Sequence, residues 1–262
     1  MTEFLSLISG SSGNATYFSD GNTRLLIDCG MSGKRLAEAL SSIDVSMDSI
    51  DAMLITHEHS DHVKGAGIIS RRYNIPIYAT HGTHSAMDIG KIDDSMRHFV
   101  NANSDFEIGT IGICPFTIPH DAAEPVGYTF FSNGRKYALA TDIGNMDDDI
   151  LNMLKGSEAV ILESNHDVDM LRCGPYPFPL KQRILSDFGH LSNESAATTA
   201  LELVKSGTTK IMLGHLSLEN NRPEIAMLET FNTLTNAGVN IGVDASLTVA
   251  DRYSITRFGD LT

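Results

Sequence analysis

Apolar and polar positions change their spacing repeatedly along the chain, and each change predicts an element. Near the N-terminus the apolar runs are short, at residues 4–8, 16–18 and 24–28, and Gly, Ser and Asn turns separate them, which is a strand pattern. From Ser32 the period lengthens, and Leu36, Leu40 and Ile43 share one face of a predicted helix. A short buried strand is expected at 52–55, then a helix from Asp61 to about Arg72, a strand at 75–79 and a helix from about Gly82. The second half opens on β-rich segments at 106–118, 126–132 and 136–140. Helices are expected at about 147–154, at 192–204 with Ser192 as N-cap and Glu194 in the first turn, and at 222–236 opened by Pro223. Strands at 158–162 and 210–213 lie between them. Strands and helices alternate in both halves, so the fold class is α/β, sheets covered by helices. No internal repeat or low-complexity linker divides the chain. The stretch from Cys173 to Pro179 holds three of the eight prolines and reads as an ordered surface excursion within one domain over residues 1–262.

Composition narrows the class. Hydrophobic content of 42% supplies a core and argues against disorder. The formal charge of −14 counts against a DNA coat or transcription factor, because phosphate contacts need Lys and Arg. It leaves room for a nucleic-acid enzyme with a local basic strip and bound cations. Cys29, Cys114 and Cys173 are odd in number and contain no CxxC pair, so buried reduced thiols are expected, not a disulfide framework. The first residues carry no basic n-region, and no run of about 18 apolar residues follows. A cytoplasmic protein without a membrane span is expected.

The strongest chemical signal is His57-Glu58-His59-Ser60-Asp61-His62, directly after the apolar run Met53-Leu54-Ile55. Imidazole and carboxylate are the usual ligands of zinc-class cations. A tight loop at a strand's end can split the four ligands between two ions, His57 and His59 toward one, Asp61 and His62 toward the other. A surface loop that merely contains three His explains this order poorly. Further ligands are expected beyond later strand ends, and His120, Asp142 and His215 each stand there. Glu163 follows the strand at 158–162, and His190 precedes the helix from Ser192. A carboxylate beside an imidazole can orient its tautomer and raise its pKa, which would make His190 a general acid. The alternative is a structural His190 bonded to a backbone carbonyl.

Other signals are weaker. The stretch Gly10-Ser11-Ser12-Gly13-Asn14 reads either as an anion-binding nest, with Ser12 and Asn14 toward substrate, or as a plain turn. His166 would line the site or sit on the surface. Asp28 could hold a ligating His from behind. Arg71, Arg72, Arg172, Lys181 and Arg183 could form a basic strip, with Lys181 and Arg183 touching substrate. His81, His84 and His98 read as ordinary. There is no GxSxG elbow, P-loop or GxGxxG, so serine hydrolase, NTPase and dinucleotide chemistry are unsupported.

The His-x-His-x-Asp-His cluster, with His120, Asp142 and His215 in that order, resembles the metallo-β-lactamase superfamily over essentially the whole chain. The segments Gly189 to Ala196 and Leu213 to Ser217 resemble the ribonuclease Z and phosphonate-pathway phosphodiesterase branches, where the first His is the proton donor and the second a metal ligand. The stretches Thr56 to His62 with Lys64-Gly65, Pro119 to Tyr128, Leu162 to Asp167, Gly174 to Pro177 and Leu216 to Asn221 are closer still to the YycJ/WalJ-like branch. His59 stands where flavin-linked di-iron members usually carry Glu, and no glycine-rich tRNA arm is evident.

The resemblance implies a four-layer αββα sandwich and two divalent metal ions, zinc or manganese. It implies His57, His59 and His120 on the first metal, Asp61, His62 and His215 on the second, and Asp142 bridging. The activity it implies is 5′→3′ exonuclease action on DNA by a metal-bridging hydroxide. Asp61 would orient the nucleophile, and His190 would protonate the departing oxygen with Glu163 behind it. Two other readings remain: a small-molecule ester, thioester or cyclic phosphodiester hydrolase on the same scaffold, and a non-catalytic metal-binding regulatory protein.

Overall fold

The computed structural model describes residues 2–259. They cluster into two compact units. The first takes residues up to 117, 122–134 and 251–256; the second takes 118–121, 135–250 and those from 257 onward.

The first unit starts with an antiparallel meander, β1 (Glu3–Ile8), β2 (Ala15–Ser19) and β3 (Arg24–Ile27). The ladder continues in parallel through β4 (Ala52–Leu54), β5 (Ile77–Ala79) and β6 (Arg97–Phe99). Parallel neighbours need crossovers. These are α1 (Gly33–Ser41), the pair α2 (Ser60–Val63) and α3 (Ala66–Tyr73), and α4 (His81–Ala86). A second meander follows, β7 (Phe106–Ile108), β8 (Ile111–Thr117) and β9 (Val126–Ser132).

Alternation along the strands buries both faces of the first ladder. Phe4 and Phe18 meet Phe130 of β9, with the Phe18 and Phe130 rings stacked 4.8 Å apart. The intervening residues Leu5, Leu7, Tyr17, Leu26 and Met53 join a separate core with Leu36 and Leu40 of α1 and Ile69 of α3. Helix α1 begins where predicted, because the Ser32 side chain accepts the Arg35 amide. The single helix expected at 61–72 is broken at Gly65. The Gly65 N–H goes to the Cys29 carbonyl at 2.7 Å, and a Cβ there would lie 2.3 Å from the Met31 oxygen. The strand expected at 106–118 is likewise split, by a turn at Gly109 with φ +56°.

The second unit is built on four parallel strands in the order β10 (Arg135–Ala140), β11 (Ala159–Glu163), β12 (Lys210–Gly214) and β13 (Ser246–Val249). Val160, Ile161 and Leu162 of β11 and Ile211, Met212 and Leu213 of β12 are all buried, as strands covered on both faces require. The helices are α5 (Asp148–Leu154), α6 (Val168–Cys173), α7 (Phe178–Ile184), α8 (Asn193–Lys205) and α9 (Pro223–Asn236). Asp147, Asp167 and Ser192 cap α5, α6 and α8 through their side chains. The Pro-rich excursion is shorter than expected, because Cys173 ends α6 and Phe178 already begins α7. Cys29 and Cys114 are buried thiols, but Cys173 is exposed at that helix end, which corrects the expectation for it. Among the described residues no helix is long and apolar enough to cross a membrane.

Candidate active site and metal ligands

In the first unit the His cluster is laid onto the chain that leaves β3. Asp28 follows that strand with φ +58°, a conformation uncommon for any residue but glycine. Its Oδ1 accepts the Thr56 amide at 2.9 Å, and its Oδ2 accepts the Thr56 hydroxyl at 2.9 Å. The same Oδ2 lies 2.8 Å from His62 Nδ1. An ionised carboxylate only accepts, so His62 carries its proton on Nδ1 and turns the Nε2 lone pair outward. The Thr56 hydroxyl, whose proton goes to Asp28, accepts from His57 Nδ1 at 3.0 Å. That fixes the same tautomer in His57. The His57 ring packs 4.6 Å from His59 and 4.1 Å from His62, centroid to centroid.

The loop has little freedom to move. Cys29 N–H bonds the His62 carbonyl, and Asn14 N–H bonds the Asp61 carbonyl at 2.8 Å. A Cβ on Gly30 would stand 1.6 Å from the Asp61 oxygen, so only glycine fits there. The Asn14 side chain donates to Asp61 Oδ2 at 3.3 Å and to His62 Nε2 at 3.0 Å, and its Oδ1 accepts the Gly10 amide. Asn14 therefore sits beside two of the predicted ligands. Ser12 is exposed on a turn closed by the bond from Gly13 N–H to the Gly10 carbonyl.

In the second unit the predicted residues converge on Glu163, the last residue of β11 and wholly buried. Its Oε1 accepts His190 Nδ1 and His215 Nδ1, both at 2.8 Å. Its Oε2 accepts the Ile143 amide at 2.8 Å and the Leu191 amide at 3.1 Å. Burial works to raise the Glu163 pKa, but the charge of His190 and the two imidazole hydrogen bonds outweigh it and hold the carboxyl below the ordinary range. One ionised group thus sets the tautomer of both imidazoles, leaving each Nε2 facing outward. Ligand atoms of Asp142, Glu163, His190 and His215 all lie within 4.8 Å of one another. Asp142 and His215 follow the ends of β10 and β12 with φ of +60° and +55°. His120 Nδ1 donates to the Gly189 carbonyl at 3.2 Å. Burial lowers the His120 pKa, against the opposing pull of Asp142. His190 remains 17% exposed at its side chain, so its ring can reach a bound molecule.

Other predicted residues contribute no atom to these groups of candidate ligands among the described residues. His166 is neither on the surface nor among the ligands. It is 1% exposed, its ring nitrogens have no hydrogen-bond partner among the described residues, and burial pushes its pKa down to about 4. Lys181 Nζ donates to the Arg172 carbonyl at 2.7 Å. Arg183 makes a two-pronged ion pair with Asp121, the neighbour of His120. Arg71 donates to the carbonyls of Ile89 and Lys91. Sequence reasoning missed the Thr56 hydroxyl as a link between Asp28 and His57, and the bond from Glu163 to His215. Asp28 directly after an apolar run was the one available signal.

Both sets fit a divalent cation: the Nδ1 atoms of His57, His62, His120 and His215 are held by a hydroxyl, a carboxylate or a carbonyl, beside Asp61 or Asp142.

Comparisons with known proteins agree with this chemistry. Residues 23–215 match the family described as "Beta-lactamase superfamily domain", a span that ends on His215. The exodeoxyribonuclease WalJ of Streptococcus pneumoniae is 41% identical over 242 residues, covering 91% of this chain and 90% of that protein. The exodeoxyribonuclease YycJ of Bacillus anthracis is 41% identical over 241 residues, covering 91% of each. In structure, the metallo-β-lactamase fold protein YhfI from Bacillus subtilis superposes with a TM-score of 0.73 at 14% identity, covering 99% of this chain and 100% of that one. The fold, two mixed sheets with helices, is therefore the metallo-β-lactamase fold. The chain belongs to the metallo-β-lactamase superfamily of metal-dependent hydrolases, in the branch that contains WalJ and YycJ.

Proposed function

We propose that the protein is a cytoplasmic two-metal phosphodiesterase that degrades DNA from the 5′ end, and that residues 1–262 act as one hydrolase domain. The observation that carries this reading is the Glu163 carboxylate shared by His190 and His215. It joins a proton donor to a metal-type ligand on one buried anion, as hydrolysis with a poor leaving group requires. The relatives named exodeoxyribonuclease, matched over nine-tenths of their length, support DNA as the substrate.

On this reading His57, His59 and His120 would hold one divalent ion and Asp61, His62 and His215 a second, with Asp142 available to both. Zinc and manganese both suit His and carboxylate ligation. Bound there, the cations supply Lewis acidity, offsetting charge on phosphoryl oxygens and bringing the ionisation of water to roughly pH 7. The chain supplies the rest. Glu163 holds the His190 Nδ1 proton and stabilises the imidazolium, so Nε2–H can be given to the departing oxygen. Asp61, braced by Asn14, orients the attacking oxygen by accepting its proton in a hydrogen bond. Asp28 and Thr56 keep His57 and His62 in the ligating tautomer.

End-labelled duplex DNA incubated with the protein and Mn²⁺ or Zn²⁺ tests this. Stepwise loss of the 5′ label, absent in Asp61→Ala, is the expected result. An intact label with both metals overturns the DNA assignment.

A further inference from the structure

Two grooves run along helix α1, both within the first unit. The first, of about 340 Å³, has an apolar floor that includes Leu7, Ile8 and Met31, and a rim with Arg35, Tyr253 and Ser254. The second, of about 570 Å³, is lined by Lys34, Ser41, Arg72 and Tyr73. Both take Glu38 and Ser42 as wall, so they meet along the helix.

The charge in these grooves is opposite to that of the chain. The whole sequence has 33 acidic and 19 basic residues, whereas the groove walls carry Lys34, Arg35 and Arg72 against Glu38 alone. Lys34 lies 3.8 Å from Glu38 in an exposed pair, which water screens strongly. The Arg35 guanidinium has no partner among the described residues. Arg72 sits 5.3 Å from the Tyr73 ring centroid, which holds its charge at the wall. Tyr253 is 67% exposed, an open ring above an apolar floor.

Two residues in the floor of the first groove belong to segments that continue to the loop of predicted ligands. Met31 in its floor follows Gly30, which packs against the Asp61 carbonyl. Ile8 opens the segment that ends on Asn14, whose side chain touches Asp61 and His62. Arg252, next to Tyr253, lies over Gly10 of that segment, where a Cβ would meet its Nη1 at 2.5 Å.

We propose that the grooves along α1 are a track for single-stranded DNA, with Lys34, Arg35 and Arg72 on the phosphates and Tyr253 stacked on a base. Spaced cations with an aromatic platform are how single strands are held without sequence preference. The proposal rests on the reading of the chain as a DNA-cleaving enzyme, and it adds where the strand lies away from the bond being cut.

Fluorescence anisotropy with a cleavage-resistant phosphorothioate oligothymidylate tests it over a range of salt concentrations. Lys34→Ala/Arg35→Ala/Arg72→Ala is expected to reduce the slope of log affinity against log salt by about 2, from about 0.7 per phosphate contact on a single strand. Glu38→Gln is expected to tighten binding. Tyr253→Ala should weaken it about five-fold or more, with recovery in Tyr253→Phe. Hydrolysis of bis(p-nitrophenyl) phosphate, too small to span the grooves, should stay at the wild-type rate in all four. An unchanged salt slope in the triple variant overturns the track, even if the wild type degrades DNA. If the wild type cleaves neither DNA nor the small diester but the slope still falls, the enzyme reading fails and the grooves stand as a DNA site.

Discussion

Glu163→Gln tests whether one carboxylate governs two histidines. The change keeps the shape of the side chain and removes its charge. In the protein Glu163 accepts four hydrogen bonds, two from imidazole Nδ1–H groups and two from backbone amides. Glutamine has one acceptor oxygen and one NH₂ group in those two places. If the NH₂ faces Ile143 and Leu191, two buried amide donors lose their acceptor. If it faces His190 and His215, both rings must take the other tautomer, with Nδ1 accepting and Nε2 protonated. In the first case each lost partner costs about 1–3 kcal/mol, so two cost roughly 2–6 kcal/mol of protein stability; in the second no partner is lost, but each Nε2 is protonated and withdrawn from a metal. The backbone amides cannot change their protons and the imidazoles can, so the second outcome is favoured.

His190→Ala separates the two histidines. It should remove the proton donor, lowering turnover of DNA about 10²–10⁴-fold while sparing bis(p-nitrophenyl) phosphate, whose leaving group needs no proton. Glu163→Gln should lose activity on both substrates and bind metal about 10–100-fold more weakly, because His215 is misaligned as well. Metal affinity is read by calorimetry and turnover by initial rates, with circular dichroism to verify the fold. If Glu163→Gln matches His190→Ala, losing DNA turnover but keeping wild-type metal affinity and activity on the small diester, Glu163 does not govern His215.

Three further outcomes are expected. Burial works to raise the Asp20 pKa, but hydrogen bonds from the Thr110 hydroxyl and the Thr23 and Asn22 amides outweigh it and leave it below the ordinary 3.8. Its stabilisation is then complete above that value and lost as the pH falls through the lower folded pKa, so in urea denaturation Asp20→Asn should be less stable at pH 7 by about 2 kcal/mol and nearly equal to wild type in strong acid. Gly30→Ala must displace the Asp61 carbonyl, and thermal melting should report a loss of about 3 kcal/mol or more together with lost activity. Stripping divalent ions with a chelator should lower the melting temperature by roughly 5–10 °C relative to protein at a hundred-fold excess of ion over its Kd, corresponding to about 2.7 kcal/mol; an unchanged melting point would mean the folded chain holds no metal.

The parts of the site that could be read from sequence are those where chemistry and strand ends coincide. His57, Asp142, Glu163 and His215 each stand at or just beyond the end of an apolar run, and period and residue type suffice to mark them. Pairing is different. Glu163 is 27 residues from His190 and 52 from His215, and nothing local in the chain says that both rings meet the same oxygen. The break at Gly65 was hidden for a related reason. The residues on either side keep helical spacing, and only the approach of Cys29 and Met31 draws the Gly65 amide away. The Arg183 ion pair is equally non-local, because Asp121 lies 62 residues away in the chain.

The same limit applies to the backbone. Asp28, Asp142 and His215 all take positive φ where the chain leaves β3, β10 and β12. Asp and His tolerate that region better than most residues, but it still costs about 1–3 kcal/mol each, and no propensity argument places them there. In each case the left-handed residue follows a strand anchored by its ladder, and two of the three side chains are fixed by specific partners: Asp28 by Thr56 and His62, His215 by Glu163. Those bonds offset the strain. They also make the conformation a consequence of the folded site and not of the local sequence.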